Sequence, residues 1–559
     1  MSKSHRRNRL IAVVGMATAL SLATLGFYRI TDSDLFLKIH HSIDVFSRVY
    51  KEIAVNYVDE VDPDRFMRAG IDGMLKTLDP YTVYIGEREN DEIDLVTTGK
   101  YGGVGVTIGQ RDGMITVINL LEGFSASKQG LEMGDRIVEI DGKNVVGSSL
   151  EDIRLLVRGT PGTEVRLKIE REGESHPLEF VLLREEIPVR NVTYSGFVEK
   201  GIGYIRLERF SRTAGDDLRN AIKEIKGQGD VKGLVLDLRD NPGGLLDIAV
   251  DVTSKFLPES SLVVSTRGRK SDADRKYYSM EAPMLLDAPL AILVDRGTAS
   301  ASEIVAGAIQ DLDRGIIIGT RTFGKGLVQT ITRLSENTSI KVTTARYYTP
   351  SGRCIQEIDY FHRSKDGIFP TIPDSLKKEF RTSHDRKVLE GGGIEPDSTV
   401  SEEDRIRMID ELLRKAMFFK FANHYASQHK TLPPDFEVTD AMIEEFEAYV
   451  KDKKFEYEEE GQIKLKELKE VAEKSRYDKP FFDELKRVES LIKDEKERQM
   501  HRYQEEVRSL LKTEIVGRMK GEKAQIESTF ADDRQLEVAV HVLKDKKNYQ
   551  RLLSGRQKK

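Results

Sequence analysis

A serine at a predicted strand-to-helix junction stands where it could attack a carbonyl group. The apolar run Leu290–Val294 predicts a strand, and a glycine turn then leads into a helix that begins near Ser300. A helix N-terminus offers unpaired backbone N–H groups and a partial positive charge, so the amide of Ala301 could stabilise an oxyanion formed when Ser300 attacks. The alternative is that Ser300 or Ser302 only caps the helix.

A nucleophilic serine needs a general base, and the distribution of histidines restricts the choice. All ten histidines lie outside residues 177–361. A Ser-His-Asp triad would therefore have to use His176 or His362 from the margins of this region. The alternative base is Lys325, which stands in the glycine turn TFGKG.

Lys325 can act as a base only if its surroundings lower its pKa. The ordinary pKa of lysine is about 10.4, so the amine is almost fully protonated at neutral pH unless burial favours the neutral form. The neighbouring residues Phe323, Leu327 and Val328 are apolar and could provide that burial. Otherwise Lys325 is a surface lysine in a turn.

Two glycine-rich turns need separate interpretations. The segment Gly319–Lys325 matches the first seven positions of a phosphate-binding P-loop, but Gly326 replaces the Ser or Thr that would hold magnesium. The following residues LVQTITRL also look like a strand, so a nucleotide site is not expected. The segment Asp240–Gly244 follows a predicted strand, and its amides could supply a second oxyanion donor, unless it is a plain turn.

The elements that would position these residues change along the chain. Residues 33–97 have helical periodicity, and residues 100–184 form short β-rich runs around glycine pairs, with one helix over Ser149–Val157. Residues 186–400 alternate strand and helix, which indicates an α/β core with its ligand site at the carboxyl ends of strands. From Ser401 onward the chain is helical and highly charged, which is typical of solvated helix faces and less often of a docking or dimerisation arm.

Length and composition indicate several domains and exclude some classes of protein. The 559 residues carry a net charge of −6, which argues against a dedicated nucleic-acid binder. The single cysteine, Cys354, excludes an intramolecular disulfide framework and a Cys-based zinc site. Basic residues precede the apolar run 10–27, which predicts a signal anchor or signal peptide within residues 1–30. The positive charge before the run predicts that the rest of the chain lies on the non-cytoplasmic side of the membrane.

Taken together, the motifs resemble those of the carboxyl-terminal processing, or tail-specific, family of serine endopeptidases. Seven segments occur in the order found in that family: LDPYTVYI, GYIRLERF, LDLRDNPGGLL, VDRGTASASEIVAGAIQD, GTRTFGKGLVQ, YYTPSGRCIQ and GGGIEPD. One departure is Cys354, where related chains often carry serine. Since it lies outside the motif residues that would be catalytic, we interpret it as a buried thiol.

The resemblance implies a role for each candidate site residue. It makes Ser300 the nucleophile, Lys325 the base and Gln329 the residue that orients the lysine. The oxyanion hole would then be formed by Ala301 with a glycine amide, Gly243 or Gly244. No metal or other cofactor is implied.

The same resemblance implies a domain organisation. Residues 33–97 would be the N-terminal helical part of the protease core, residues 98–184 an inserted PDZ domain, residues 185–400 a crotonase-like α/β spiral core, and residues 401–559 a helical extension. The carboxylate-binding loop of the PDZ domain would consist of Gly102, Gly103, Val104, Gly105 and Val106. Successive amides in such a loop can bind a terminal carboxylate while an edge strand pairs with the peptide.

The function implied is an ATP-independent endopeptidase that captures protein C-termini and cleaves near the tail. We expect it on the periplasmic side of a bacterial inner membrane, held there by the N-terminal anchor, with protein substrates and no nucleic acid as partners. The helical extension could join copies of the chain. The alternative function is a non-catalytic PDZ adaptor or chaperone on a protease-derived core, against which the presence of Ser300, Lys325 and Gln329 argues.

Overall fold

The computed structural model describes residues 35–86, 95, 97–360, 370, 371, 373, 375, 377–401 and 405–554. The predicted anchor at residues 1–30 and the alternative base His362 lie outside these ranges. No helix within them is long and apolar enough to cross a bilayer. The chain divides after Tyr84 into two compact units.

The first unit is helical, as its periodicity predicts. Helix α1 covers residues 35–56, and helix α2 covers Pro63–Leu75. Asp62 caps α2 by accepting hydrogen bonds from the backbone amides of Asp64 and Arg65, and Pro63 occupies the first turn, where a missing N–H costs nothing. Strand β1 (Val83–Ile85) follows.

The second unit begins with a small sheet wrapped around one apolar core. Its elements are β2 (Lys100–Gly103), β3 (Val106–Arg111), β4 (Met114–Leu120), α3 (Ser125–Gln129), β5 (Arg136–Ile140), β6 (Lys143–Asn144), α4 (Leu150–Val157), β7 (Glu164–Glu170), β8 (Leu178–Leu183) and β9 (Glu185–Pro188). The strands pair in the order β3–β4–β5–β7–β8, with β6 on β5, and β2 pairs with β9. Strand β3 is therefore at the edge of the sheet.

The next segment forms a mixed α/β core. Its elements are β10 (Val192–Glu199), β11 (Ile202–Leu207), α5 (Ala214–Gln228), β12 (Gly233–Asp237), α6 (Leu246–Ser254), β13 (Leu262–Gly268), β14 (Arg275–Tyr278), β15 (Leu290–Val294), α7 (Ala301–Asp311), β16 (Ile316–Gly319), β17 (Leu327–Arg333), β18 (Ser339–Tyr348), β19 (Glu379–Arg381), β20 (Lys387–Leu389) and β21 (Ser398–Thr399). The central sheet has the order β10–β11–β12–β15–β16–β21 and is parallel from β11 onward. Strands β17, β18, β13 and β14 pair antiparallel in a second sheet.

The remaining residues form the helical extension. Its helices are α8 (Arg407–Arg414), α9 (Met417–Gln428), α10 (Asp440–Asp452), α11 (Glu460–Lys474), α12 (Lys479–Arg502), α13 (Gln504–Lys520), α14 (Glu522–Thr529), α15 (Arg534–Lys544) and α16 (Lys546–Ser554). Helices α8–α10 and α13 enclose an apolar core of their own, in which the Phe418 and Phe421 rings contact Phe446.

The last two helices of the extension, α15 and α16, pack against the central sheet. Because side chains alternate between the faces of a strand, β12 directs Leu234 and Leu236 towards α5–α7 and Val235 towards the opposite face. On that opposite face Leu536 and Val542 of α15 join the same buried cluster. The high charge of the extension predicted solvated helix faces. Helices α15 and α16 instead cover one face of the α/β core.

Candidate active site

Ser300 lies in the strand-to-helix turn, directly before helix α7. Its backbone has φ 56° and ψ −112°, which is a strained conformation for a residue other than glycine. Two buried side chains hold this conformation: the Ser300 amide donates to Glu303 Oε2 at 2.8 Å, and the Tyr347 hydroxyl donates to the Ser300 carbonyl at 3.1 Å. A strained turn at a helix N-terminus is the geometry that exposes a nucleophile.

Glu303 connects the serine turn to the lysine loop. Its side chain is fully buried and accepts hydrogen bonds from the amides of Ser300, Gly324 and Lys325 and from the Thr322 hydroxyl, at 2.6–2.9 Å. Burial raises the pKa of Glu303, and these four hydrogen bonds oppose the rise. Since one carboxylate oxygen accepts from both the Ser300 and Lys325 amides, the two predicted catalytic residues lie side by side.

The lysine loop leads from the central sheet into β17. Lys325 is partly buried and Leu327 is buried, but Phe323 is 45% exposed and does not provide the burial that the sequence suggested. Gln329 lies on β17, where its side-chain amide donates to Thr343 Oγ1 at 3.2 Å. The strand after Gly326 agrees with the prediction that this segment is not a P-loop.

The Asp240–Gly244 turn packs directly against the serine turn. The Asn241 carbonyl accepts from the Ala299 amide at 3.0 Å and from the Ser302 hydroxyl at 2.9 Å. A Cβ atom on Gly243 would lie 2.7 Å from the Ala301 nitrogen, so only glycine allows this approach. The Gly243 amide donates to Asn241 Oδ1 at 2.9 Å, whereas the Gly244 amide makes no hydrogen bond to any described residue.

A buried ion-pair chain supports this turn from the helical extension. Arg239 binds the fully buried carboxylate of Asp237 and also makes two hydrogen bonds, at 2.6 and 3.0 Å, to Asp533, the cap of α15. Complete burial opposes ionisation of Asp237, but the charge and hydrogen bonds of Arg239, with a hydrogen bond from Tyr204, hold its pKa below the ordinary value. Because Arg239 directly precedes Asp240, the hydrogen bonds from Arg239 to Asp533 connect the extension to the Asp240–Gly244 turn.

A cleft of about 580 Å³ lies beside the edge strand β3 of the small sheet. Its lining includes the predicted loop residues Gly103, Val104, Gly105 and Val106, while Gly102 packs against the Gly159 carbonyl just behind them. Across the cleft, α4 contributes Leu150, Arg154 and Val157. The sequence-predicted loop and the edge strand therefore meet at one groove.

Three side chains that hold the candidate catalytic segments in place were not predicted from the sequence. Glu303 follows Ser300 by three positions, and this S-x-x-E spacing is the signature of a helix capping box, which could have identified it. Tyr347 and Asp533 carry no such local signal, because they reach the site from other parts of the chain.

Known protein families match several segments of the chain. A family model for peptidase family S41 matches residues 201–373, and a PDZ-domain model matches residues 117–171. The carboxy-terminal-processing protease of Bartonella bacilliformis is 40% identical over 330 residues, which cover 58% of this chain and 74% of that protein. This chain belongs to the carboxy-terminal-processing proteases of peptidase family S41.

The S41 protease also resembles CtpB of Bacillus subtilis, with 32% identity over 59% of this chain and 67% of that protein. A solved photosystem II D1 C-terminal processing protease is 28% identical, covers 64% of this chain and 92% of its own, and has a TM-score of 0.34. Two further models match the ends: "Activating protease CtpB N-terminal domain" at residues 31–89 and "Probable PDZ-protease, C-terminal helical domain" at residues 408–543. The family resemblance, the serine peptidase activity and the PDZ domain are thereby confirmed.

Proposed function

We propose that this S41 protease is an ATP-independent endopeptidase that cleaves protein chains near their C-termini with a Ser300–Lys325–Gln329 triad. The observation that carries the proposal is the buried Glu303 carboxylate, which binds the backbones of both Ser300 and Lys325. A nucleophile and its base must be held together before either can act. The strained backbone of Ser300 adds to this argument.

The reaction is acyl transfer to Ser300, followed by hydrolysis. The Ser300 hydroxyl attacks the scissile carbonyl carbon while the neutral Lys325 amine takes its proton. The same lysine then gives that proton to the departing amine, and the peptide bond breaks. Lys325 next takes a proton from water, whose oxygen attacks the ester carbonyl carbon. Lys325 then gives this proton to Ser300 Oγ as the ester bond breaks.

The negative charge on the carbonyl oxygen is stabilised by backbone amides. The Ala301 amide at the N-terminus of α7 is one donor, as the sequence suggests. For the second donor we favour Gly244 over Gly243, because the Gly243 amide is already bonded to Asn241. Gln329 would orient Lys325 through its amide oxygen, since its amide nitrogen donates to Thr343.

The PDZ domain would capture the substrate's C-terminus in the cleft beside β3. A peptide in this position adds an antiparallel strand to the exposed edge of β3, and its terminal carboxylate reaches the amides of the 102–106 loop. Leu150 and Val157 of α4 line the groove and favour apolar side chains on the substrate. Unstructured proteins with apolar C-termini are the expected substrates.

For the finer organisation we keep the boundaries predicted from the sequence as part of this proposal. We place the N-terminal helical part at residues 33–97, the PDZ domain at 98–184, a crotonase-like spiral core at 185–400 and the helical extension at 401–559. The basic residues before the apolar run 10–27 support an anchor in the inner membrane, with the protease on the periplasmic side. We also propose that copies of the chain associate through the extension, which size-exclusion chromatography with light scattering would detect.

The test compares Ser300→Ala with the full-length wild type. We expect Ser300→Ala to bind an unstructured protein with an apolar C-terminus but not to cleave it, and to lose covalent labelling by a fluorophosphonate probe. Ser335→Ala, at the exposed tip of the β17–β18 hairpin, is the matched control and should behave as wild type. Cleavage by Ser300→Ala would remove this assignment, and a wild type that binds tails without cleavage or labelling would indicate a PDZ adaptor instead.

A further inference from the structure

The peptide cleft is not built from the PDZ domain alone. Its walls include Arg190 just after β9, Glu208 and Arg209 just after β11 of the protease core, and Glu522 at the start of α14. Arg190 and Glu522 form an ion pair of 2.8 Å. A bound tail would therefore contact the protease core and the extension as well as the PDZ loop.

One arginine of the cleft lining, Arg209, has no acidic partner among the described residues. Each acidic residue in the lining has an arginine partner: Glu151 with Arg154, Glu208 with Arg206, and Glu522 with Arg190. Arg209 is exposed and makes no ion pair with any described residue. This wall of the cleft therefore suits an anionic group of the ligand.

Arg209 lines the same cleft as Tyr101, the residue directly before the predicted carboxylate-binding loop. The guanidinium of Arg158 stacks on the Tyr101 ring at 4.6 Å, next to the loop that begins at Gly102. Burial raises the pKa of the Tyr101 hydroxyl, and the charges of Arg158 and Arg209 oppose that rise. Tyr101, Arg158 and Arg209 all line the cleft, so both guanidinium groups lie near the start of the loop that would bind a terminal carboxylate.

The residue after Arg209 is bonded to the glycine turn of the active site. The Phe210 amide donates to the Gly243 carbonyl at 3.2 Å, and the Leu245 amide donates to the Phe210 carbonyl at 2.9 Å. A Cβ atom on Gly244 would lie 2.3 Å from that Phe210 carbonyl oxygen, which shows how tightly the two segments fit. Phe210 itself is fully buried, so its backbone cannot shift without moving the turn.

We propose that Arg209 of the protease core completes the binding site for the substrate's terminal carboxylate and, through Phe210, connects occupation of that site to the Gly243–Gly244 turn. Arg209 is thus a specificity residue in the cleft and a positioning residue for catalysis. The proposal rests on the tail-capture function and on the role of the glycine turn in the oxyanion hole. Arg209 would thus be a contact from outside the PDZ domain through which a bound tail affects the position of the Gly243–Gly244 turn.

The binding test uses the full-length Ser300→Ala chain and a short fluorescein-labelled peptide with an apolar last residue. The peptide is prepared with a free C-terminal carboxylate and, for comparison, as the C-terminal amide. We expect the free acid to bind more tightly than the amide, and Arg209→Gln to weaken binding of the acid by about tenfold to a hundredfold, the effect of one lost charged hydrogen bond. Arg209→Lys should retain most of the preference.

The kinetic test measures kcat and KM on an unstructured protein substrate with native Ser300 in place. We expect Arg209→Gln to raise KM and also to lower kcat, because the glycine turn is no longer held by an occupied site. Arg269→Gln is the matched control, since Arg269 is an exposed arginine of the same core that does not line the cleft. Because Arg209 is exposed, its replacement should leave the thermal unfolding midpoint unchanged.

The outcomes separate this proposal from the function on which it rests. If Arg209→Gln keeps the preference for the free acid, or raises KM with kcat unchanged, Arg209 does not have the role proposed here while tail capture stands. If the parent chain itself does not distinguish acid from amide, tail capture at this cleft is wrong and the present proposal is wrong with it.

Discussion

Glu303 is the residue on which the geometry of the candidate catalytic turn depends. Its carboxylate accepts four hydrogen bonds, and two of the donors are the backbone amides of Ser300 and Lys325. The other two, Gly324 and Thr322, belong to the same loop as the lysine. An ionised carboxylate can accept from four donors at once, whereas an uncharged amide offers one acceptor oxygen and would direct an NH₂ group at the remaining donors.

Glu303→Gln is therefore expected to lower kcat by at least about tenfold and the free energy of unfolding by about 1–3 kcal/mol, the cost of unsatisfied buried donors. The measurement is kcat per active site, with active serines counted by fluorophosphonate labelling, alongside urea denaturation. Glu336→Gln, at the exposed end of the β17–β18 hairpin, is the control. A loss of stability with unchanged kcat per labelled serine would assign Glu303 a structural role only.

Helix α15 is the element that links the charged extension to the catalytic core. Its first turn is capped by Asp533, which also binds Arg239 beside the glycine turn, and its apolar face lies on the central sheet. At the other end of the helix, Lys544 pairs with Glu199 on the surface, with about half of each side chain exposed. The largely buried pair and the exposed pair on this helix should therefore differ greatly in the free energy of unfolding lost when each is broken.

We expect Asp533→Ala to lower the free energy of unfolding by about 3 kcal/mol or more, because it removes a helix cap and deprives Arg239 of one of its two carboxylate partners. It should also reduce kcat, since Arg239 directly precedes the Asp240–Gly244 turn. Lys544→Ala should cost about 1 kcal/mol or less. Equal effects of the two substitutions in guanidinium denaturation would show that α15 is held by its apolar face alone.

The sequence predicted those elements whose signals are local. The strands and helices around Ser300 and the turn at Gly243 follow from periodicity and glycine placement. Lys325 follows from the absence of histidine in residues 177–361. The family resemblance added Gln329 and the PDZ loop. The positions of Asp533 and Arg209 were not predicted because their partners are distant or contributed by another domain. The pairing of Arg239 with Asp533 spans 294 residues and leaves no periodic trace in the chain.

In the second unit, the helical extension touches both the protease core and the PDZ domain, and it does so by different means. The contact with the core is apolar and includes the buried residues of α15 and α16. The contact with the PDZ domain includes ion pairs of Asp112 with Lys420 and of Glu132 with Arg518 at 2.8 Å, and a 3.2 Å contact of Glu172 with His424 that is an ion pair when the histidine is protonated. Such pairs are partly exposed and therefore weaken with salt, whereas apolar burial does not.

We therefore expect high salt, or loss of these ion pairs, to release the PDZ domain from the extension while the rest of the unit stays folded. Each partly exposed pair contributes about 0.2–1 kcal/mol, so Lys420→Asp alone should have a small effect, while Lys420→Asp combined with Arg518→Glu should open the contact. Hydrogen exchange is expected to become faster at the β3–β4 turn around Asp112 and in the loop around Glu132, and to stay unchanged in α15. Adding Asp112→Lys to Lys420→Asp restores one pair in reverse and should slow exchange at that turn again. If exchange at Asp112 in the double variant equals that of the wild type, and salt has no effect, the PDZ domain is held in place by contacts other than these charges.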